Sequence, residues 1–184
     1  MITWKLEPKN ATVAQFVKCY WFIEKESADN SYQQPRLNPD PSATLIIAPK
    51  EQHFRYQNGS TIFTGRGSHW ILPNSQTMLL DHSKPFIILG IKFHIGALYS
   101  IDIEPKLPLL NSINKVDLDN TVNMKSIKQA ASLAVAKNNS EACVTLMDEV
   151  LAPWLSNTTQ DKHSELTYKA VSLLSTAPVS HIGK

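Results

Sequence analysis

Four histidines in the first hundred residues have the side chains with the widest range of chemistry: His53, His69, His82 and His94. A metal site needs imidazoles that converge on one ion, and a local His-x-His pair is the common way for a β-rich domain to supply two of them. No His-x-His pair occurs here, and none of the four histidines is followed by a glutamate at short spacing. The pattern therefore favours surface or hydrogen-bonded core histidines, and no metal or other cofactor is expected.

Two other short motifs suggest chemistry but lack the partners that it needs. Asp81 and His82 are adjacent, and neighbouring strand residues point to opposite faces, so they do not easily form a catalytic dyad. The glycine-rich segment Gly65-Arg66-Gly67-Ser68 lacks the lysine and the following helix of a phosphate-binding loop, and it is predicted to be a turn. No residue set makes a convincing catalytic site, so we do not expect an enzyme.

Composition narrows the class of protein. The 184 residues carry a net charge of only +2 and contain no cluster of Lys and Arg, which argues against tight DNA binding by this chain alone. No apolar run approaches the length of a membrane span, and the N-terminus lacks the features of a signal peptide. Cys19 and Cys143 are far apart in apolar surroundings, which is typical of buried thiols in a reducing cytoplasm. A cytoplasmic protein without membrane contact is expected.

The candidate residues belong to a β-rich region that ends near residue 120. Asn58-Gly59 lies between two apolar segments and predicts a hairpin. The nearly continuous apolar run at 86–93 predicts a central strand covered on both faces. Eight segments rich in β-branched and aromatic residues are predicted strands: Ile2–Leu6, Cys19–Lys25, Thr44–Ala48, His53–Gln57, Thr61–Thr64, Trp70–Leu72, Met78–Asp81 and Phe86–His94.

After residue 120 the apolar period becomes helical. Met124, Ile127, Ala131 and Ala134 are predicted to form the inner face of a first helix. A second helix is predicted to begin at Ser140, and Pro153 should kink or end it. Its wide apolar stripe either packs on the β domain or pairs with its copy in a second chain, and the candidate dimerisation residues are Met147, Val150, Leu151 and Trp154.

These patterns predict an α+β protein in three parts. Residues 1–120 form a cupin-like β-rich barrel or sandwich, and residues 121–160 form a helical linker and candidate dimerisation segment. Residues 161–184 contain a third helix and then, from Pro178, the start of another. A natural protein rarely ends one turn into a helix, so the chain is expected to be truncated there.

Several short segments occur in the order found in the AraC/XylS family of bacterial transcription regulators. The chain resembles the N-terminal regulatory domain of one subgroup, followed by the beginning of a helix-turn-helix domain. It departs from the family pattern at Pro41, where glycine is usual, and at Ile95, where proline is usual. The segments that carry the resemblance are Tyr20-Trp21, Pro39-Asp40 before Leu45-Ile46-Ile47, Gly90-Ile91-Lys92-Phe93 before Gly96-Ala97, and Ala170-Val171…Leu174 with Pro178–Gly183.

The resemblance implies that promoter DNA is read by a C-terminal domain missing from this chain, and that the present part senses a small-molecule effector, forms a homodimer, or does both. Aromatic side chains either fill the core or line a ligand cavity inside the β domain. The candidate ligand-binding residues are Arg66, His69, His94, Trp21, Tyr56 and Trp70.

Two alternatives remain open. A cupin-type metal-dependent enzyme would fit a barrel, but it needs histidine spacing that is missing here. A stand-alone small-molecule-binding module would require the natural protein to stop near Lys184, where Ile182 would have no core to join.

Overall fold

The computed structural model describes residues 2–26, 33–101, 111–118 and 127–158, together with 162, 165–167, 169 and 170. Within this part the strands are β1 (Ile2–Leu6), β2 (Val17–Lys25), β3 (Arg36–Leu37), β4 (Thr44–Ile47), β5 (His53–Asn58), β6 (Thr61–Arg66), β7 (His69–Ile71), β8 (Met78–Leu80), β9 (Phe86–Phe93) and β10 (Ile113–Lys115). The helices are α1 (Ala11–Ala14), α2 (Ala97–Ser100), α3 (Gln129–Asn138) and α4 (Ser140–Ser156).

The strands form two antiparallel sheets. The larger has the order β1-β2-β9-β4-β7-β10, and the smaller has the order β3-β8-β5-β6. β9 lies between β2 and β4, which confirms the prediction of a central strand. The class is α+β as predicted, with two strand-rich sheets and a few helices.

Strand alternation divides the apolar side chains into two layers. On one face of the larger sheet, Tyr20, Phe22, Leu89 and Ile91 pack under α1, α3 and α4. On its other face, side chains such as Ile46 and Ile88 meet the smaller sheet. The central strands β4 and β9 therefore separate a helix-covered layer from an inter-sheet layer.

The predicted hairpin is confirmed, with its turn one residue later than predicted. Asn58 still pairs with Thr61 in the ladder, so Gly59 and Ser60 form the connection. Gly59 adopts the left-handed backbone conformation of the turn, at φ +56°, whereas Asn58 has no positive φ.

α4 packs on the larger sheet through its apolar stripe. It begins after Asn139, whose side chain accepts a hydrogen bond from the Ala142 amide at 3.0 Å. It continues through Pro153 to Ser156, so the proline stands within its last turn. Cys143, like Cys19, is a buried thiol without a disulfide.

The predicted inner face of the first helix was wrong. Ala131 and Ala134 are exposed, whereas Ser132, Leu133 and Ala136 are buried. An alanine side chain buries little apolar surface, so the larger Leu133 determines which face of the helix turns towards the sheet. Ile127 is buried as predicted, but it precedes the helix.

The C-terminal predictions are only partly covered by the structure. Residues 165–167, 169 and 170 are helical, within the third helix predicted from about Ser164, and residue 162, predicted as linker, is helical too. Met124 and the segment 178–184, with the predicted start of a further helix, lie outside the described residues. Within the described residues, no helix is long and apolar enough to cross a membrane.

Candidate functional site

A buried histidine and tyrosine meet between the two sheets. His69 on β7 and Tyr56 on β5 are joined by a hydrogen bond of 2.7 Å between the imidazole Nε2 and the phenol oxygen. The other ring nitrogen, Nδ1, lies 2.9 Å from the carbonyl oxygen of Gly67. Because a carbonyl can only accept, Nδ1 carries the proton and Nε2 accepts from the Tyr56 hydroxyl. The Tyr56–His69 hydrogen bond thus links the smaller sheet to the larger one within a layer of mainly apolar side chains.

Both groups of this pair are held in their neutral forms. Burial lowers the pKa of His69 to about 4, although the bond to Gly67 acts in the opposite direction. Burial also raises the pKa of Tyr56 well above its ordinary value. The ring of Phe54 lies against the imidazole with a centroid distance of 3.8 Å. An uncharged, fully engaged pair is suited to positioning rather than to proton transfer at neutral pH.

A small cavity of about 50 Å³ adjoins the pair, and three of the four histidines line it. The three are His53, His69 and His82, but the His82 ring packs at a tilt against Phe86, with 4.2 Å between the ring centroids. Burial, reinforced by Lys25, lowers the pKa of His82 to about 4. Within the described residues, no group of three or more His, Cys, Asp or Glu side chains is placed to hold a metal ion. The cavity has room for a few water molecules at most.

The other candidate ligand-binding residues lie in separate places. Arg66 is exposed, 3.6 Å from Glu51, at a polar pocket of about 330 Å³. Trp70 points to the helix-covered layer, where its ring lies 5.4 Å from that of Phe93. Its indole N–H has no hydrogen-bond acceptor among the described residues. His94 is half-buried, with Nε2 3.2 Å from the carbonyl oxygen of Ala14.

Trp21 shares the inter-sheet layer with Tyr56 and His69, as the alternation of β2 requires. The six candidates therefore do not form one site. Tyr56 and His69 contact each other, and Trp21 shares their layer. The remaining three line other parts of the surface or core. The residue types alone could not show which aromatic side chains lie on which face of the larger sheet, whereas the strand register does.

The candidate dimerisation residues pack within their own chain. Met147 and Leu151 are fully buried, and Trp154 is 8% exposed. Val150 is half-buried against the same layer. The stripe packs on the sheet, which is one of the two arrangements that the sequence left open.

The segments of the family resemblance that precede Gly96-Ala97 lie on or beside neighbouring strands. Trp21 pairs with Gly90 across β2 and β9, and Ile46 on β4 pairs with Gly90 from the other side. The indole of Trp21 lies directly over Gly90, where an added Cβ would be only 2.0 Å from its Cε2 atom. The glycine is therefore required by the tryptophan, and the two segments form one structural feature.

The turn at Asp40 is tied to the same strand. Its carboxylate pairs with Lys92 of β9 and accepts a hydrogen bond from the Ser42 amide at 2.9 Å. Burial acts to raise the pKa of Asp40, but the bonds from Lys92 and Ser42 outweigh it and hold the pKa below its ordinary value. After β9, Gly96 adopts φ +79° and is the N-cap residue directly before α2. The order of segments in the sequence thus corresponds to one connected region.

Residues 6–109 match a family described as "Domain of unknown function (DUF6597)". This chain belongs to that family. The DUF6597 match includes the strands from β2 to β9, with α1 and α2. It therefore contains the His69–Tyr56 pair and every segment of the family resemblance up to Gly96-Ala97.

Comparison with other proteins adds little to the DUF6597 assignment. No curated protein matches the chain significantly. Among solved structures, the chain is similar to the Clostridium difficile EutQ protein, with a TM-score of 0.34 and 2% sequence identity. That alignment covers 50% of this chain and 62% of the EutQ chain, less than two thirds of its length.

α3 and α4 lie outside the DUF6597 match but share its core. Leu133, Cys143 and Met147 belong to the same apolar cluster as Val13 and Phe16 of the matched region. The buried carboxylate of Asp148 strengthens this junction by accepting hydrogen bonds from the Lys9 and Asn10 amides and from the Tyr20 hydroxyl. Asp148 was not among the residues predicted from the sequence. The helices are thus packed firmly on the family domain.

Proposed function

We propose that this chain is the regulatory part of an AraC-like bacterial transcription regulator. In this proposal it senses a small-molecule effector, forms a homodimer, or does both, in the cytoplasm. Promoter DNA is bound through a helix-turn-helix domain that begins within residues 161–184. The chain catalyses no reaction in this proposal.

The observation that carries the proposal is the convergence of the AraC-like segments. Chance resemblances of two or three residues would be scattered over a fold, whereas Trp21, Gly90 and Asp40 with Lys92 belong to one connected region of the larger sheet. These residues also lie within the one continuous stretch, residues 6–109, that matches the DUF6597 family. Together these findings support a regulator more strongly than any single motif does.

A role for the helices follows from their packing. Because α3 and α4 share a core with the sheet, a change in the β domain would alter their position, and with it the orientation of a DNA-binding domain that follows them. Such coupling requires an effector that binds the two arrangements with different affinities.

The test is DNA binding by the product of the complete gene. We expect the reading frame to continue past Lys184 into a helix-turn-helix domain, and the purified product to bind a fragment from upstream of its own gene in fluorescence anisotropy titrations. The 184-residue chain is the matched control, and it should not bind the fragment. A stop codon directly after Lys184, or a complete product that shows no preference for any promoter fragment of its genome, would overturn the proposal.

Self-association is tested separately by sedimentation velocity of the 184-residue chain. Val150→Asp is the informative variant, because Val150 is only half-buried while Met147 and Leu151 are core residues. Thr145→Asp, at an exposed position of the same helix, is the control. A dimer that dissociates in the first variant and persists in the second would assign the interface to this face of α4. An unchanged mass in both variants would remove α4 from the dimer.

A further inference from the structure

We propose that a cavity beside the Asp40 turn, separate from the inter-sheet layer, binds a compact, uncharged and mainly apolar molecule. This inference rests on the proposed function, because it names the class of effector and its site. The cavity has a volume of about 390 Å³, within the range of roughly 300–1,000 Å³ that is usual for small-molecule sites. It lies between the turns at 39–41 and 73–75, the segment from 94 to 99, and Thr167.

The walls of the cavity are apolar and partly rigid. Pro39, Pro41 and Pro73 have backbones restricted by their rings, so that side of the cavity is preorganised. Ile95 and Leu98 form the opposite side, at the start of α2. An apolar molecule would gain from contact with both sides without the chain having to reorganise.

Two of the polar residues that line the cavity, Asp40 and Asn74, already make hydrogen bonds. Asp40 is engaged by Lys92 and Ser42, and its backbone exchanges hydrogen bonds of 3.0 and 2.9 Å with Asn74. The Asn74 side chain donates to the carbonyl oxygen of Gln76 at 2.8 Å. A charged ligand would lose its hydration against mainly apolar walls, and the engaged Asp40 and Asn74 would not replace that hydration, so the site selects against it.

Two further cavities in the described part of the chain are less suitable for such a molecule. The inter-sheet cavity of about 50 Å³ is too small. The pocket of about 330 Å³ at Arg66 has Lys50, Glu51, Lys115 and Asp117 in its lining, which favours water. Of the three cavities, the one beside the Asp40 turn is the best match to an apolar ligand.

Two residues at this cavity, Tyr99 and Thr167, indicate how a bound molecule could affect the rest of the protein. The Tyr99 side chain is 65% exposed, unusual for a large aromatic group, and a bound molecule would cover part of it. Thr167 brings the segment predicted to be the first helix of the DNA-binding domain to the cavity. A ligand would therefore touch the β domain and this helix together.

The experiment is a fluorescence titration of the 184-residue chain with N-phenyl-1-naphthylamine, an uncharged aromatic probe whose emission rises in apolar surroundings. We expect saturable binding of one probe per chain. Ile95→Asp should raise the Kd at least about tenfold, because it puts a carboxylate against the ligand. Ile62→Asp, at an exposed position on β6 away from the cavity, is the matched control and should leave the Kd unchanged.

A second variant protects the test against misfolding. Tyr99→Ala removes a mostly exposed side chain, should leave the circular dichroism spectrum unchanged, and should raise the Kd several-fold. Absence of saturable binding, or equal binding by the wild type, Ile95→Asp and Tyr99→Ala chains with intact spectra, would overturn the site. Failure of DNA binding by the complete gene product, with probe binding as expected, would instead refute the proposed function and leave the site standing.

Discussion

Replacing Asp148 with alanine should greatly destabilise the fold, because one buried carboxylate joins three segments of the chain. Its oxygens accept hydrogen bonds from the Lys9 amide at 2.7 Å, the Asn10 amide at 2.8 Å and the Tyr20 hydroxyl at 2.7 Å. The side chain belongs to α4, while its partners lie before α1 and on β2. The residue is 5% exposed, so water cannot easily replace the acceptor that the buried Tyr20 hydroxyl would lose.

The magnitude follows from these three bonds. Hydrogen bonds to a charged group contribute about 1.5–3 kcal/mol each, and a buried donor left without an acceptor costs about 1–3 kcal/mol. Tyr20 is fully buried and carries the full penalty, whereas Lys9 and Asn10 are exposed residues whose amides can bind water. We therefore expect a loss of about 3–5 kcal/mol for Asp148→Ala, a large part of the stability of an ordinary domain. Asp148→Asn retains an acceptor for the two amides and should lose about 1–2 kcal/mol.

The assay is urea unfolding followed by far-ultraviolet circular dichroism. Tyr20→Phe removes only one of the three donors and should be less damaging than Asp148→Ala, and the double variant should show less than the sum of the two losses. Glu149→Ala, at the exposed neighbouring position, is the control and should change the free energy of unfolding by no more than about 0.5 kcal/mol. A loss below about 1 kcal/mol for Asp148→Ala would refute the reasoning.

Three further predictions concern the sheets. The ordinary pKa of histidine is 6.5 and that of folded His69 is about 4, so the unfolded chain binds the proton first. Stability should therefore fall as the pH drops from 6.5 towards 4, by up to about 3 kcal/mol from this residue. In urea titrations across that range, the free energy of unfolding of His69→Gln should change less with pH than that of the wild type. An equal change with pH in both proteins would show that His69 is not the group responsible. Gly90→Ala should cost about 1–3 kcal/mol because its Cβ meets Trp21, and adding Trp21→Leu should restore part of the loss in thermal unfolding. Lys92→Met should destabilise more than Lys5→Met at an exposed strand position, because it leaves the half-buried Asp40 carboxylate unpaired, and equal melting temperatures would argue against this role.

The strands were predictable where a local pattern specifies them. Phe86–Phe93 is nearly all apolar, and Gly59 marks the hairpin, so both were found from sequence. β3 and β10 contain only two and three residues, and their pairing with β8 and β7 comes from distant parts of the chain. Short strands of this kind have no periodicity of their own, which explains why they were missed.

The candidate site was predictable in its residue types but not in its contacts. His69 and Tyr56 were named for their chemistry, yet their hydrogen bond depends on the packing of two different sheets. Asp148 was missed although its spacing held a signal. Val144, Asp148, Leu151 and Leu155 recur at helical intervals, which places the carboxylate on the buried stripe. A charged residue inside an apolar stripe indicates a buried partner, here the Tyr20 hydroxyl and two amides.

Asp40 connects the two proposals. Its carboxylate is bound by Lys92 on β9, next to the strand position where Gly90 lies under Trp21, and its turn forms one wall of the apolar cavity. A molecule in that cavity would therefore contact the turn that Lys92 ties to the central strand. Through Thr167 it would also contact the first helix of the proposed DNA-binding domain. If the effector binds one position of that helix more tightly, the difference between its two binding free energies is the amount by which it shifts the equilibrium between the two orientations of the DNA-binding domain. In the inter-sheet layer, by contrast, His69 and Tyr56 already satisfy each other, so that layer serves to fix the sheets on which such a change would act.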